Sequence, residues 1–147
     1  MAENGFVTVE HTLEVLRRMH ALVPSIVAKD GAELAGYALV MPVECRSFVP
    51  ILEPMFQRLE ALGLLQERFY VMGQICVAAP YRGRGVFDLL YRAHRDELSQ
   101  RFDSVVTEVS VRNARSLRAH QRVGFEELER YRDASDEWVL LIWRWRC

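Results

Sequence analysis

The segment from residue 73 to residue 91 constrains the fold more than any other part of the chain. It reads GQICVAAPYRGRGVFDLLY. Its β-prone start predicts a strand that ends at Val77, and the apolar spacing over residues 86–93 predicts a helix close behind it. A tight turn, Arg82-Gly83-Arg84-Gly85, separates the two elements. The segment therefore predicts a β-strand that passes through a glycine turn directly into an α-helix.

A turn of this kind favours an anionic ligand. Glycines let the backbone approach a ligand closely and adopt dihedral angles that other residues avoid. The first N–H groups of the following helix face that ligand and, with the helix dipole, favour an anion such as a pyrophosphate. The turn lacks the third glycine of a dinucleotide fingerprint and the Gly-Lys-Ser/Thr of a P-loop. A solvated turn that binds nothing is the alternative interpretation.

The rest of the chain alternates helix and strand signals. Two apolar runs on either side of Asp30-Gly31 predict a hairpin over residues 25–41. Further strands are predicted over residues 69–77, 103–111, 125–130 and 138–145, and helices over residues 11–21, 50–62, 83–98 and 113–122. Because the sequence shows no repeat and no linker, we expect one mixed α/β domain over residues 1–147, with helices that cover a sheet.

Charge and hydropathy argue against two classes of partner. A formal net charge of −1 gives no global basic field that would attract nucleic acid or anionic lipid. The longest apolar run, residues 34–43, is too short to cross a bilayer, and residues 1–10 lack the basic start and apolar core of a signal peptide. We therefore expect no nucleic-acid partner and no membrane association.

The cysteines are few and scattered, and they form no CxxC or Cys/His ligand set: Cys45, Cys76 and Cys147. An odd, dispersed count is typical of reduced thiols in a cytoplasmic protein, and we expect no bound metal. Cys76 lies in an apolar run and is expected to be a core residue, with a nucleophile as the alternative.

A second polar pattern follows the strand predicted at residues 103–111. Asn113 is suited to cap a helix, and Gly124 is suited to end it. Asn113 and His120 are seven residues apart, or two helical turns, so they are expected on one face with Ser116 between them. A polar stripe of this kind on a short helix is able to line a cleft.

Together the two patterns resemble the GNAT superfamily of N-acetyltransferases. The cofactor loop of that family has the form Arg/Gln-x-x-Gly-x-Gly/Ala, and residues 82–87, RGRGVF, match all of it except the last position. The family's second signature corresponds to Asn113, Ser116, His120, Gly124 and Phe125. The resemblance covers residues 26–147 in the order of elements and is sharpest over residues 74–125.

The resemblance implies a fold, a cosubstrate and a reaction. The fold class is α/β (α+β), with a mixed, mostly antiparallel sheet flanked by helices. The cosubstrate is acetyl-coenzyme A, whose acetyl group passes to the primary amine of a small molecule or a peptide by direct attack in a ternary complex. The alternative is a catalytically weak module of the same fold that binds coenzyme A in regulation or in protein interactions.

The cofactor is expected to cross the splayed end of the strand at residues 69–77, with its pyrophosphate on the glycine turn. The residues expected to bind it are Ile75, Cys76, Val77, Arg82, Gly83, Arg84, Gly85, Val86, Phe87, Asn113 and Ser116.

Acetyl transfer to an amine benefits from a base, since a lysine-like amine with a pKa of ~10.4 is almost fully protonated at neutral pH. Glu108 is the candidate base, because it resembles the strand carboxylate of ribosomal-protein alanine acetyltransferases. The alternatives are a structural ion pair and a solvent-facing carboxylate. His120 is the candidate acid toward the leaving thiolate, because imidazole titrates in the right range. Its alternative is a hydrogen bond to the cofactor.

Three features depart from the family's pattern. Phe87 replaces the last small residue of the cofactor loop and is expected to narrow the pyrophosphate site or to shield it from water. His120 stands where many members have a tyrosine acid. The family's first strand and helix, which precede the region matched by residues 5–22, are expected to be missing or rudimentary here.

Several other side chains keep two interpretations. Exposed helical faces are expected for His11, His20 and His94. Four arginines are also expected to be exposed, although one of them could touch a cofactor phosphate: Arg112, Arg115, Arg118 and Arg122. Four residues either line the acceptor side of the cleft or pack in the core: Tyr37, Tyr70, Met72 and Trp138.

The hairpin predicted at residues 25–41 has an uncovered edge if the family's first strand is missing. Uncovered edges invite pairing with another chain, and symmetric dimers are the commonest soluble oligomers. We therefore expect a homodimer, with an open acceptor side as the alternative.

Overall fold

The computed structural model describes residues 11–145, which form four α-helices and six β-strands. The helices are α1 (Leu13–Leu22), α2 (Glu53–Ala61), α3 (Val86–Leu98) and α4 (Ala114–Val123). The strands are β1 (Ile26–Asp30), β2 (Glu33–Met41), β3 (Phe69–Val77), β4 (Ser104–Ser110), β5 (Glu126–Arg132) and β6 (Glu137–Arg144). None of the described helices combines the length and the apolar character that a membrane span requires.

The six strands form one sheet in the order β1-β2-β3-β4-β6-β5. Every neighbouring pair is antiparallel except β3 and β4, which are parallel. The expected mixed, mostly antiparallel sheet is therefore confirmed. The parallel pair lies at the centre of the sheet, and its connection contains the glycine turn and α3.

Each face of the sheet is covered by two helices. Successive residues of a strand point to opposite faces, so Val106 packs with Phe56 of α2 in one core cluster, and Val105 packs with Leu90 of α3 in the other. Helix α1 adds Met19 to the first cluster. Helix α4 packs on the α3 side. The α3–α4 face and the α1–α2 face therefore present different surfaces to the same central strands.

The two central strands separate along their length. Strand β3 pairs with β4 only over residues 69–71, opposite residues 104–106, yet both strands continue well beyond this ladder. A β-bulge at Gly73 accompanies the separation, because the register between β2 and β3 skips this residue. The Thr107 hydroxyl donates a hydrogen bond to the carbonyl oxygen of Met72 at 3.3 Å, just past the ladder. A gap therefore opens between the carboxyl ends of the two strands.

Local sequence patterns predicted the positions of most helices and strands well. The strand predicted at residues 69–77 has the same bounds in the structure, and Asp30 and Gly31 lie at the predicted hairpin turn. The Asn113 side chain caps α4 by accepting a hydrogen bond from the N–H of Ser116 at 3.1 Å. Helix α2 begins at Glu53, three residues later than predicted, because a short 3₁₀ turn occupies residues 50–52.

The expectation of a missing first strand and helix concerns the start of the chain. A ten-residue helix, α1, precedes the sheet, and the Thr12 hydroxyl caps it by accepting a hydrogen bond from the N–H of Val15. The expectation falls on residues 1–10, which are outside the described residues.

Candidate active site

A cleft of about 590 Å³ opens beside the glycine turn. It lies between the second half of β3, the turn, the first residues of α3 and the first turns of α4. Every residue expected to bind the cofactor lines this cleft except Arg84, whose guanidinium lies 5.8 Å from the ring centroid of Tyr81. The strand, the turn and the capped helix thus converge on one cleft, as their order in the sequence predicts.

The turn presents an uncapped helix to the cleft. Gly83 and Gly85 have φ angles of 75° and 79°, a left-handed conformation that favours glycine. Gly85 occupies the N-cap position of α3, and no side chain caps this helix. The first N–H groups of an α-helix have no partner within the helix, so here they remain available to an anion at the positive end of the dipole. The turn fits a pyrophosphate group.

A second, narrower cavity of about 120 Å³ lies in the gap between β3 and β4. Leu52 and Met55 close it from the α2 side, and Glu108 lies on its β4 wall. The residues that line both cavities are Gln74, Ile75, Asn113 and Ser116. The two cavities therefore meet at the carboxyl end of the gap, where a ligand in the cleft and a ligand in the narrower cavity would come together.

Glu108 is a half-buried carboxylate in this second cavity. Burial raises its pKa to about 7, the hydrogen bond from the Tyr131 hydroxyl opposes the rise, and the charge of Asp133 adds to it. A carboxyl group with this pKa is deprotonated in a large fraction of molecules at neutral pH and still binds protons readily. The hydrogen-bond partner of Glu108 is a phenol and not a cation, so the ion-pair alternative does not describe Glu108. Its side chain is half-buried, so the solvent-facing alternative does not describe it either.

His120 lies outside both cavities, so the expectation that it faces the cleft is wrong. Its side chain is 2% exposed, its Nδ1 atom lies 2.8 Å from the carbonyl oxygen of Ser116, and its Nε2 atom lies 2.7 Å from the Tyr91 hydroxyl. Arg118 and Arg122, on either side of His120 in the sequence, line the cleft. His120 lies on a different face of α4, which packs against Phe87 and Tyr91 of α3.

Burial also determines the protonation state of His120. It lowers the pKa of the imidazole to about 4, against the opposing effect of the hydrogen bond to Ser116. The carbonyl oxygen accepts, so Nδ1 carries the proton and Nε2 accepts from Tyr91. At neutral pH the imidazole is therefore neutral, and both of its nitrogens are engaged by protein groups in this structure.

Two other expectations change with the structure. His94 is fully buried, where its Nε2–H donates to the Ala38 carbonyl oxygen at 3.2 Å and its Nδ1 contacts the Tyr70 hydroxyl at 3.0 Å. The exposed position expected for His94 is therefore wrong, and Tyr70 belongs to the core. Met72 and Trp138 are buried, as their core alternative predicts, and both also line the second cavity.

Tyr131 is the partner of the candidate base, and the sequence did not indicate it. Its hydroxyl donates to Glu108, although 23 residues separate the two in sequence. The contact arises because β5 and β4 both pair with β6, with Tyr131 opposite Trp138 and Glu108 opposite Leu140. Only the strand order brings them together, and no local motif indicates it. Among the described residues no cluster of His, Cys, Asp and Glu is arranged to hold a metal ion.

Comparisons with known proteins agree with this geometry. The Acetyltransferase (GNAT) family model matches residues 5–125, whereas no curated protein gives a significant match. Ard1 from Thermoplasma volcanium is 16% identical, over 94% of this chain and 82% of that chain, with a TM-score of 0.68. Ribosomal-protein-alanine N-acetyltransferase from Brucella melitensis is 17% identical, over 87% and 72%, with a TM-score of 0.63.

A third similar structure, yncA from Salmonella typhimurium, was solved with its cofactor acetyl-CoA. It is 14% identical over 86% of this chain and 68% of that chain, with a TM-score of 0.60. Identities this low show a shared fold, and the family model carries the assignment. The chain belongs to the GNAT acetyltransferase family, whose cosubstrate is acetyl-coenzyme A.

Proposed function

We propose that the chain transfers the acetyl group of acetyl-coenzyme A to a primary amine by direct attack in a ternary complex, with Glu108 as the base. One observation carries the proposal. A half-buried carboxylate with a pKa of about 7 lies in a cavity that meets the cofactor cleft at Gln74, Ile75, Asn113 and Ser116.

The chain's contribution to cofactor binding follows from two sets of backbone groups. The uncapped N–H groups of α3 would hold the pyrophosphate. Beyond Val71, no strand of the described residues pairs with the edge of β3 that faces β4. This edge offers hydrogen-bonding groups to the amides of an extended ligand, as in strand addition. When bound, acetyl-coenzyme A supplies an activated thioester.

The pKa of Glu108 favours weakly basic acceptors. A proton moves uphill by roughly three pKa units from a lysine-like amine of pKa ~10.4 to a carboxylate of pKa about 7. The same step from an α-amine of pKa ~8 is uphill by only about one pKa unit. Among the acceptors expected from the sequence, we therefore favour a peptide N-terminus or another α-amine.

Tyr131 and Asp133 complete the environment of the proposed base. The Tyr131 hydroxyl holds the Glu108 carboxylate in one orientation, and Tyr131 itself stays protonated because burial and the adjacent carboxylate raise its pKa. Asp133 adds negative charge, which attracts an approaching ammonium group. Tyr131 is thus a positioning residue in this proposal.

A second candidate function is a coenzyme A-binding module with weak catalysis. The burial of His120 favours this binding module, because a buried, neutral imidazole is not placed to act as the acid toward the departing thiolate. The two functions make opposite predictions about turnover and agree about cofactor binding.

The deciding experiment measures turnover and binding on the same preparation. Initial rates of acetyl transfer are measured with amino-acid amides, short peptides and polyamines, and the affinity for coenzyme A is measured by calorimetry. Transfer to α-amines that is faster than transfer to lysine-like amines supports the enzyme and its acceptor class. Tight cofactor binding without transfer to any acceptor would support the binding module instead.

The cytoplasm remains the proposed compartment. Cys45 and Cys76 are free thiols in the structure, and free thiols accord with a reducing environment.

A further inference from the structure

One wall of the cofactor cleft carries three arginines in addition to the glycine turn that is proposed to bind the pyrophosphate. Arg115, Arg118 and Arg122 follow one another at spacings of three and four residues, so they form a stripe along α4. All three line the cleft. The whole chain has a net charge of −1, so this stripe is a local concentration of charge.

The cations of the cleft outnumber its anions. Asp88 supplies the one carboxylate among the described lining residues, and it pairs with Arg122 at 2.9 Å. Arg115 and Arg118 are exposed, and no ion pair between described residues involves either of them. The stripe therefore has two guanidinium groups available to a ligand and a third that is already paired.

The Arg122–Asp88 pair also locates the stripe relative to the turn. Asp88 lies in the first turn of α3, directly after the glycines, so the pair joins the far end of the stripe to the pyrophosphate site. Arg115 and Arg118 lie one to two helical turns away along the same wall. Their position suits a second anionic group of the ligand that occupies the turn.

We infer that Arg115 and Arg118 form a second anion subsite, which binds the 3′-phosphate of coenzyme A. The inference rests on the proposed binding of coenzyme A in this cleft. Coenzyme A carries a pyrophosphate and, on its ribose, a phosphomonoester with a second pKa near ~6, so this group is mostly dianionic at neutral pH. Guanidinium groups bind phosphate oxygens through paired hydrogen bonds. The turn accommodates the first group, and the arginine pair accommodates the second.

The test compares two ligands that differ only in this phosphate. Calorimetry measures the dissociation constants of coenzyme A and of 3′-dephospho-coenzyme A for the wild type and for the double variant R115Q/R118Q. The matched control is R17Q/R92Q. It also removes two exposed arginines that lack ion pairs among the described residues, but neither lines the cleft. Thermal unfolding verifies that all three proteins are folded.

The expected result is a loss of selectivity. The wild type should bind coenzyme A about 10- to 100-fold more tightly than the dephospho form, as expected for one or two charge-assisted hydrogen bonds. R115Q/R118Q should remove this preference and leave the affinity for the dephospho form unchanged, and the control should behave as the wild type.

Four outcomes would overturn the inference. Equal weakening of both ligands in R115Q/R118Q would assign the arginines to the pyrophosphate. Unchanged binding of both ligands would show that Arg115 and Arg118 are solvated and contact neither ligand. An equal effect in R17Q/R92Q would show that the selectivity comes from the net charge of the protein and not from a local subsite. If the folded wild type bound neither ligand, the cofactor proposal itself would fail together with the subsite.

Discussion

At the scale of single residues, the two buried histidines are structural groups that tie helix α3 to its neighbours. His120 of α4 accepts a hydrogen bond from Tyr91 of α3 at 2.7 Å. His94 of α3 links Tyr70 of β3 with the Ala38 carbonyl oxygen of β2. Burial lowers the pKa of both imidazoles to about 4. Both are neutral at pH 7, and each fixes one tautomer through the carbonyl that it must donate to.

Replacing His120 by Phe should therefore affect stability more than catalysis. The Tyr91 hydroxyl would lose its acceptor inside the core, so we expect the free energy of unfolding to fall by about 1–3 kcal/mol. Urea unfolding measures the loss, and calorimetry should find an unchanged affinity for coenzyme A. His20→Phe, at an exposed position of α1, is the control. A normal stability combined with a large fall in kcat would restore His120 as a catalytic acid.

At the scale of secondary-structure elements, the site depends on where β3 ends and α3 begins. The parallel ladder ends at Val71, and the uncapped helix begins behind Gly85. The separated strands form the narrower cavity, and the glycine turn forms the proposed anion site. Both parts have to be held at a fixed distance for one ligand to reach from the turn to Glu108.

Gly85→Glu tests the anion site at the turn. The substitution adds a side chain at a left-handed position and a negative charge at the mouth of the cleft, so coenzyme A binding should be lost. Gly63→Glu is a matched control, because Gly63 has a φ angle of 77° and equally open surroundings, and it does not line the cleft. Both variants should lose a similar, modest amount of stability. Calorimetry that finds the affinity for coenzyme A unchanged in Gly85→Glu would refute the anion site.

The sequence predicted those parts of the site that neighbouring residues determine. Gly83, Gly85 and Asn113 are recognisable because turn and cap chemistry is local. The contact between Tyr131 and Glu108 was not predictable in this way, since it depends on the strand order β4-β6-β5. The helical period predicts that His120 lies on the same face of α4 as Asn113. It contains no information on which neighbouring element covers this face at His120, where Phe87 and Tyr91 of α3 pack against it.

At the scale of the whole molecule, the two edges of the described sheet differ in character. Strand β5 carries a row of charged residues over Glu126–Arg132, and charge discourages edge-to-edge pairing. At the opposite edge, Val27 of β1 and Leu34 of β2 are 54% and 50% exposed. The expected homodimer, which remains a proposal, would therefore form through β1.

Light scattering tests this arrangement. We expect a mass of twice 17.1 kDa for the wild type and a shift toward the monomer for Val27→Lys, which places a charge on the edge strand. Leu89→Lys is the control, because Leu89 is comparably exposed, at 59%, on α3. A wild-type mass of 17.1 kDa at every accessible concentration would reject the dimer.

The central claim, that Glu108 removes a proton from the attacking ammonium, is tested most directly by the pH dependence of kcat/KM for the acceptor. An acceptor amine of pKa ~10 is used at saturating acetyl-coenzyme A, and the wild type is compared with Glu108→Gln between pH 6 and 9. Wild-type kcat/KM should rise to about pH 7, where Glu108 loses its proton, and should then level off, because the base accepts the proton from the abundant ammonium form.

Glu108→Gln should be about 10²- to 10⁴-fold slower at neutral pH. Its kcat/KM should keep rising about tenfold per pH unit, because only the scarce neutral amine can then react. Glu126→Gln, on the exposed edge strand β5, should retain the wild-type profile. A wild-type rate that rises through pH 9 without a break near pH 7, or a Glu108→Gln variant with the wild-type profile, would contradict the account.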